Sequence, residues 1–154
     1  MIKKLKRQIT LLGLLLLSAF SFGRRTEVQF LSGRDKDHTV QWDFMCTAGR
    51  NSGNWTNIPV PSNWEFMGFG NYTYGSEKED KNEAGLYRYN FNVAKSWTNK
   101  EVFIVFDGSM TDTEVKVNGK LVGPVHQGAF YRFKYNISAF LNPQGANLPG
   151  SKSK

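Results

Sequence analysis

Two aspartates, Asp107 and Asp112, bracket the turn Gly108 to Thr111. Two carboxylates flanking one bond are what glycoside hydrolysis requires. The plainer reading is turn chemistry, because Asp and Ser side chains accept backbone N–H groups in tight turns, and sequence alone favours it. The other catalytic signals are thin. The two histidines, His38 and His126, sit at no metal-ligand spacing. A single cysteine, Cys46, excludes an internal disulfide and a Cys-based zinc site. Beside an apolar run it reads as a buried free thiol. No GxSxG, HExxH or phosphate-cradling glycine motif occurs. The residues therefore name no catalytic group, no metal and no cofactor.

Binding chemistry is better represented. Trp64, Phe66, Phe69, Tyr72 and Tyr74 share one loop with Asn63 and Asn71. Sugars present flat apolar faces and many hydroxyls, which aromatic plates and amide side chains suit. The same aromatics would also close the end of a sandwich core, and that reading is the default. Three tripeptides, starting at Asn54, Asn71 and Asn136, fit the glycosylation sequon. They are common by chance and carry little weight.

The chain has 154 residues. Residues 1–21 read as an export signal: Lys3, Lys4, Lys6 and Arg7 precede an apolar run from Ile9 to Phe20, and Ala19 and Ser21 give small-x-small spacing. That implies a periplasmic or secreted bacterial protein. The signal holds four of the 20 basic residues against 13 acidic ones, so the rest is only weakly basic. Its charges are interleaved, as in Lys78-Glu79-Asp80-Lys81, which argues for a solvated surface and against nucleic acid. No later stretch approaches the ~20 apolar residues of a membrane span. One domain fits, whereas a (β/α)8 barrel takes roughly 250 residues.

The elements that must carry these residues are strands. Residues 22–38 form a polar lead-in. Val40, Trp42 and Phe44 then alternate with polar neighbours. The next run, Trp55 to Val60, contains Pro59 and meets Pro61, which confines it to an edge or a turn. The long loop Asn63 to Gly85 follows. Aromatics make its first half packed, and Ser76 to Ala84 reads as mobile. Tyr87, Tyr89, Phe91 and Val93 share one face. Glu101 to Asp107 is apolar on both faces and is expected to lie centrally, covered on both sides. Asn118-Gly119 predicts a two-residue hairpin. Tyr131, Phe133, Tyr135 and Ile137 form a last alternating run. Short strands with Gly, Pro and Asn turns argue for an all-β antiparallel sandwich.

Ordered motifs sharpen this. Trp55, Ile58-Pro59-Val60-Pro61-Ser62-Asn63-Trp64-Glu65, Gly68-Phe69-Gly70-Asn71-Tyr72-Thr73-Tyr74 and Gly85-Leu86-Tyr87-Arg88-Tyr89 come first. Val105-Phe106-Asp107-Gly108, Val115-Lys116-Val117-Asn118-Gly119, Val122-Gly123 and Tyr135-Asn136-Ile137-Ser138-Ala139-Phe140-Leu141 follow. From about Trp42 to Leu141 the chain resembles the N-terminal sugar-binding-type domain of glycoside hydrolase family 2, which includes β-galactosidases and β-glucuronidases. The resemblance implies a jelly-roll sandwich of galactose-binding-like topology over residues 39–141. It implies that the partners are carbohydrate and the parent enzyme's immunoglobulin-like domain and (β/α)8 barrel, the barrel carrying both catalytic glutamates. In the family's β-galactosidases this domain lends an Asn and an Asp to the active site. Asn71 falls where that Asn does. The Asp position falls in Val125-His126-Gln127-Gly128, so His126 or Gln127 would stand in for it. Trp64, Tyr72 and Tyr74 are the candidate aromatic sugar contacts.

The C-terminus departs from the family pattern. A strand of the type NLLEV is expected, but Asn147-Leu148 runs into Pro149-Gly150-Ser151-Lys152-Ser153-Lys154. Pro149 cannot donate to a ladder. Residues 142–154 therefore read as a truncated tail, with the jelly roll lacking its closing strand and the chain a fragment. A free-standing carbohydrate-binding module is the alternative.

Overall fold

The computed structural model describes residues 26–71, 83–110, 112–142 and 145–153. The expected signal peptide and the loop from Tyr72 to Asn82 lie outside the described residues. Among the described residues eight strands follow in order: β1 Val40–Cys46, β2 Thr56–Val60, β3 Gly85–Arg88, β4 Phe103–Phe106, β5 Glu114–Val117, β6 Lys120–Leu121, β7 Phe133–Asn136 and β8 Pro149–Ser153. They form a six-stranded sheet, β2-β1-β3-β8-β5-β6, and a two-stranded sheet, β4-β7, with every pairing antiparallel. The chain is an all-β sandwich of the jelly-roll kind. As its prolines require, β2 lies at the sheet edge. The β5–β6 hairpin turns through Asn118 and Gly119 at φ 51° and 78°, the left-handed pair of a type I′ turn.

A C-terminal strand is present over Pro149–Ser153, which corrects the expectation that the sandwich lacks one. Strand β8 lies between β3 and β5, in the middle of the larger sheet. Pro149 is tolerated because it opens the strand. Opposite Val117, it contributes only as an acceptor: its carbonyl accepts the Tyr89 N–H at 3.2 Å, while the preceding Leu148 carbonyl accepts the Asn118 N–H at 2.9 Å. Motif comparison missed the strand because its side chains are small, whereas pairing is done by the backbone.

Those small side chains divide the core. Register aligns Phe44, Tyr87, Ser151 and Val115 in one row across the sheet. Phe44, Cys46 and Ile58 form one buried cluster, with Trp64, Phe69 and Tyr87 against it. Phe91, Val102, Ile104, Val115, Val117 and Ile137 form a second, which joins the two sheets. Between Tyr87 and Val115 the row offers only the hydroxymethyl group of Ser151, so no large apolar side chain of β8 bridges the clusters.

The β4 expectation also needs correction. Ile104 is buried, but Phe103 and Val105 are 41% and 51% exposed. Among the described residues β4 pairs with β7 alone, and no layer covers the outer face. The Lys134 ammonium lies over the Phe103 ring, 4.7 Å from its centre.

The lead-in is fastened to the sandwich. The Trp42 indole donates to the Leu31 carbonyl at 3.0 Å, and the Gly33 N–H to the Val60 carbonyl at 2.9 Å. The Glu27 carboxylate accepts the Trp97 indole at 2.6 Å and pairs with Lys100 at 2.5 Å.

Candidate functional site

Strand register brings several chain-distant segments to one rim of the larger sheet. Cys46 ends β1 opposite Gly85, and Gly85 stands opposite Ser153. Lys152 faces Glu114, so Ser153 is level with Thr113, which bridges to His126. The segments carrying Asn71 and His126 therefore emerge at the same rim. Strands β8 and β5 stand between Gly85, next but one to the Glu83 that holds Asn71, and the Thr113–His126 bridge.

At one side of the rim, three loops are knitted together. Gly70 N–H donates to the Arg50 carbonyl at 2.9 Å, and Arg50 Nε returns a bond to the Gly70 carbonyl at 3.1 Å. Asn51 Nδ2 holds the Gly68 carbonyl at 3.0 Å. Thr47 and Ala84 exchange two bonds, Thr47 N–H to the Ala84 carbonyl at 2.9 Å and Ala84 N–H to Thr47 Oγ1 at 2.8 Å. The Asn71 N–H reaches both carboxylate oxygens of Glu83 at 3.0 Å, and Asn71 itself is exposed. Trp64 is half-buried, its ring 6.1 Å from that of Phe44. A Cβ at Gly70 would come within 2.7 Å of that indole. Its contacts are those of a core cap. Tyr72 and Tyr74 lie outside the described residues. Beneath the rim, burial pushes the Cys46 thiol upward in pKa, and its Sγ lies 2.9 Å from the Ala48 carbonyl.

At the other side, the His126 ring stacks on Phe133, with centres 3.8 Å apart and planes at 15°. His126 Nε2 lies 3.0 Å from the Gly128 carbonyl. A carbonyl only accepts, so Nε2 carries the proton of this bond and the neutral ring keeps Nδ1 as an acceptor. Gln127 Nε2 donates to Asp112 Oδ1 at 2.9 Å. Asp112 is thus a partner of Gln127, while Asp107 pairs with Arg132 at 2.7 Å. Each aspartate is thus engaged separately, by a side chain of another segment. Ser153 and Thr113 are buried, and Thr113 Oγ1 and Ser109 Oγ are 2.7 Å apart.

Asn71 and Gln127 are exposed and His126 half-exposed near this end of the sheet, while Trp64 is half-buried against Phe44. Sequence reasoning missed Glu83, Arg50 and the hydroxyl row. Glu83 carries no local signal beyond its place two residues before the Gly85-Leu86-Tyr87 motif. Among the described residues no group of three or more His, Cys, Asp or Glu could hold a metal ion, and no helix is long and apolar enough to cross a membrane.

Residues 47–148 match the family described as glycosyl hydrolases family 2, sugar binding domain. The chain is 30% identical over 104 residues to a β-galactosidase of Vibrio cholerae, covering 61% of this chain and 10% of that one. It is 32% identical over 92 residues to a putative β-glucuronidase of Formosa agariphila, covering 57% and 9%. It therefore spans about a tenth of the length of these relatives. Among solved structures, a β-D-glucuronidase from Dictyoglomus thermophilum superposes with a TM-score of 0.57 at 21% identity, over 86% of this chain and 21% of that one. A β-glucuronidase from Bacteroides uniformis gives 0.54 at 25% identity, over 72% and 13%. The chain belongs to glycosyl hydrolase family 2, through that family's sugar-binding domain.

Proposed function

We propose that this domain serves a secreted family 2 glycosidase acting on β-galactosides or β-glucuronides. In this reading the domain is non-catalytic. Asn71 lends its side-chain amide to a sugar site, and His126 and Gln127 supply the groups that an aspartate supplies elsewhere in the family. The glutamates that cut the sugar belong to the barrel of the parent enzyme, beside an immunoglobulin-like domain. The observation that carries the reading is the shared rim. Asn71, a half-exposed imidazole and an exposed amide emerge from one end of one sheet, a hydrogen-bonding set that suits hydroxyls. Relatives named β-galactosidase and β-glucuronidase support the substrate classes.

The test is a pair of measurements on the purified chain. Nitrophenyl β-galactoside and β-glucuronide are expected to stay intact, and methyl β-galactoside or methyl β-glucuronide to shift the amide signals of Asn71, His126 and Gln127. Turnover by the pure chain, or shifts confined to the opposite end of the sheet, would overturn the reading. Export is supported by the basic start and apolar run of residues 1–21. Expression in a bacterium is expected to yield a periplasmic protein starting at Phe22, and a cytoplasmic product retaining residues 1–21 would dismiss it.

A further inference from the structure

We infer that Glu83 is the positioning residue of this rim: its carboxylate fixes the Asn71 backbone amide and so sets the direction in which the Asn71 side chain is offered to a sugar. The inference rests on the reading of Asn71 as a sugar contact.

Three observations carry it. The first is the bond itself. Both Glu83 oxygens lie 3.0 Å from the Asn71 nitrogen, and a carboxylate on a backbone N–H is stronger than a neutral pair. The second is the seat made for the carboxylate. A Cβ built on Gly49 would fall 2.3 Å from Glu83 Oε1, and one on Gly70 would fall 2.7 Å from Oε2. Both glycines have positive φ, 76° and 66°. The two loops therefore leave, at these positions, the room that the carboxylate fills. The third is the footing. Ala84, next to Glu83, is 1% exposed and is bonded in both directions to Thr47 at the end of β1. Arg50 holds the other side of the joint through the Gly70 carbonyl. Glu83 thus stands on the sheet, and the network around it fixes the backbone at Asn71. A recognition group on a loop is only as well aimed as the shell that supports it.

The experiment uses the isotopically labelled full chain, with methyl β-galactoside and methyl β-glucuronide as probes. In the wild type the Asn71 amide proton is expected far downfield, as a charge-assisted bond requires. Glu83→Gln, which keeps the shape and loses the charge, should move it upfield with the rest of the spectrum unchanged. The same variant should weaken sugar binding severalfold, and Glu83→Ala should weaken it by roughly tenfold or more, the loss expected for a hydrogen bond to a charged group. An Asn71 amide signal that ignores Glu83→Gln overturns the proposal whatever the sugar does. Wild-type affinity in Glu83→Ala overturns it as well, provided Asn71→Ala has lost affinity. If Asn71→Ala binds as wild type, or the wild type does not respond to either sugar, the reading of Asn71 fails and the proposal falls with it. The amide shift still reports separately whether Glu83 holds the loop.

Discussion

The side-chain amide of Asn118 donates to Asn147 Oδ1 at 2.9 Å, tying the β5–β6 turn to the start of β8. Asn118 also donates to the Phe140 carbonyl at 2.8 Å, and its Oδ1 accepts the Leu148 N–H at 2.9 Å. Asn147 is fully buried. Its Oδ1 also accepts the Asn142 N–H at 2.6 Å, its Nδ2 donates to the Asn142 and Gly145 carbonyls, and its backbone bridges Phe91. One residue type, needed at 118 for positive φ, also clamps the central strand in place.

Replacing Asn147 with Ala leaves the Asn118 amide and the Asn142 N–H without this acceptor. A loss of about 1–3 kcal/mol is expected, from the several hydrogen bonds that go with the buried Asn147 amide. Asn118→Gly keeps the turn but drops the clamp and should lose less. Urea midpoints check both, and an unchanged midpoint in Asn147→Ala refutes the clamp.

Ending the chain after Leu148 removes β8 from between β3 and β5. Loss of near-ultraviolet circular dichroism and of cooperative unfolding is expected. Conversely, Ser151→Val should join the two core clusters and raise stability by about 1 kcal/mol, as area burial and strand preference suggest. A truncated chain that still unfolds cooperatively at the wild-type midpoint would show β8 to be dispensable.

Burial raises the Tyr87 phenol well above its usual value near 10, with the neighbouring Cys46 adding to the shift. A raised folded value means that stability is fully present below pH 10. It declines as pH rises, because the unfolded phenol ionises first, at up to about 1.4 kcal/mol per pH unit. Tyr135 shifts the same way through burial. Tyr87→Phe should match the wild type at pH 7 and show a shallower loss above pH 10. Identical alkaline limbs would count against the Tyr87 assignment.

The His126 ring should be the Nε2-protonated tautomer in its neutral form, because the Gly128 carbonyl accepts there. Nitrogen-15 long-range correlation spectra distinguish the two tautomers directly. A proton on Nδ1 would remove the acceptor assigned to this side of the rim.

Much of this was legible in the chain itself. Alternation at Val40 to Phe44 gave a half-buried strand, Pro59 and Pro61 placed β2 at an edge, and Asn118-Gly119 set the hairpin. Each depends on local φ/ψ or on period-two burial, which neighbouring residues decide. The family resemblance, not local chemistry, pointed to Asn71 and the His126 segment as site candidates. Tertiary structure alone decided the remainder. Pro149-Gly150-Ser151-Lys152-Ser153 has no apolar alternation, yet it is a central strand, because backbone groups of β3 and β5 pair it whatever its side chains. Phe103 and Val105 read as buried but face outward, because burial needs a covering layer that their own sequence does not specify. Glu83 meets Asn71 across twelve residues of one loop, because bonds to Thr47 and Arg50 from beyond that loop hold its two ends together.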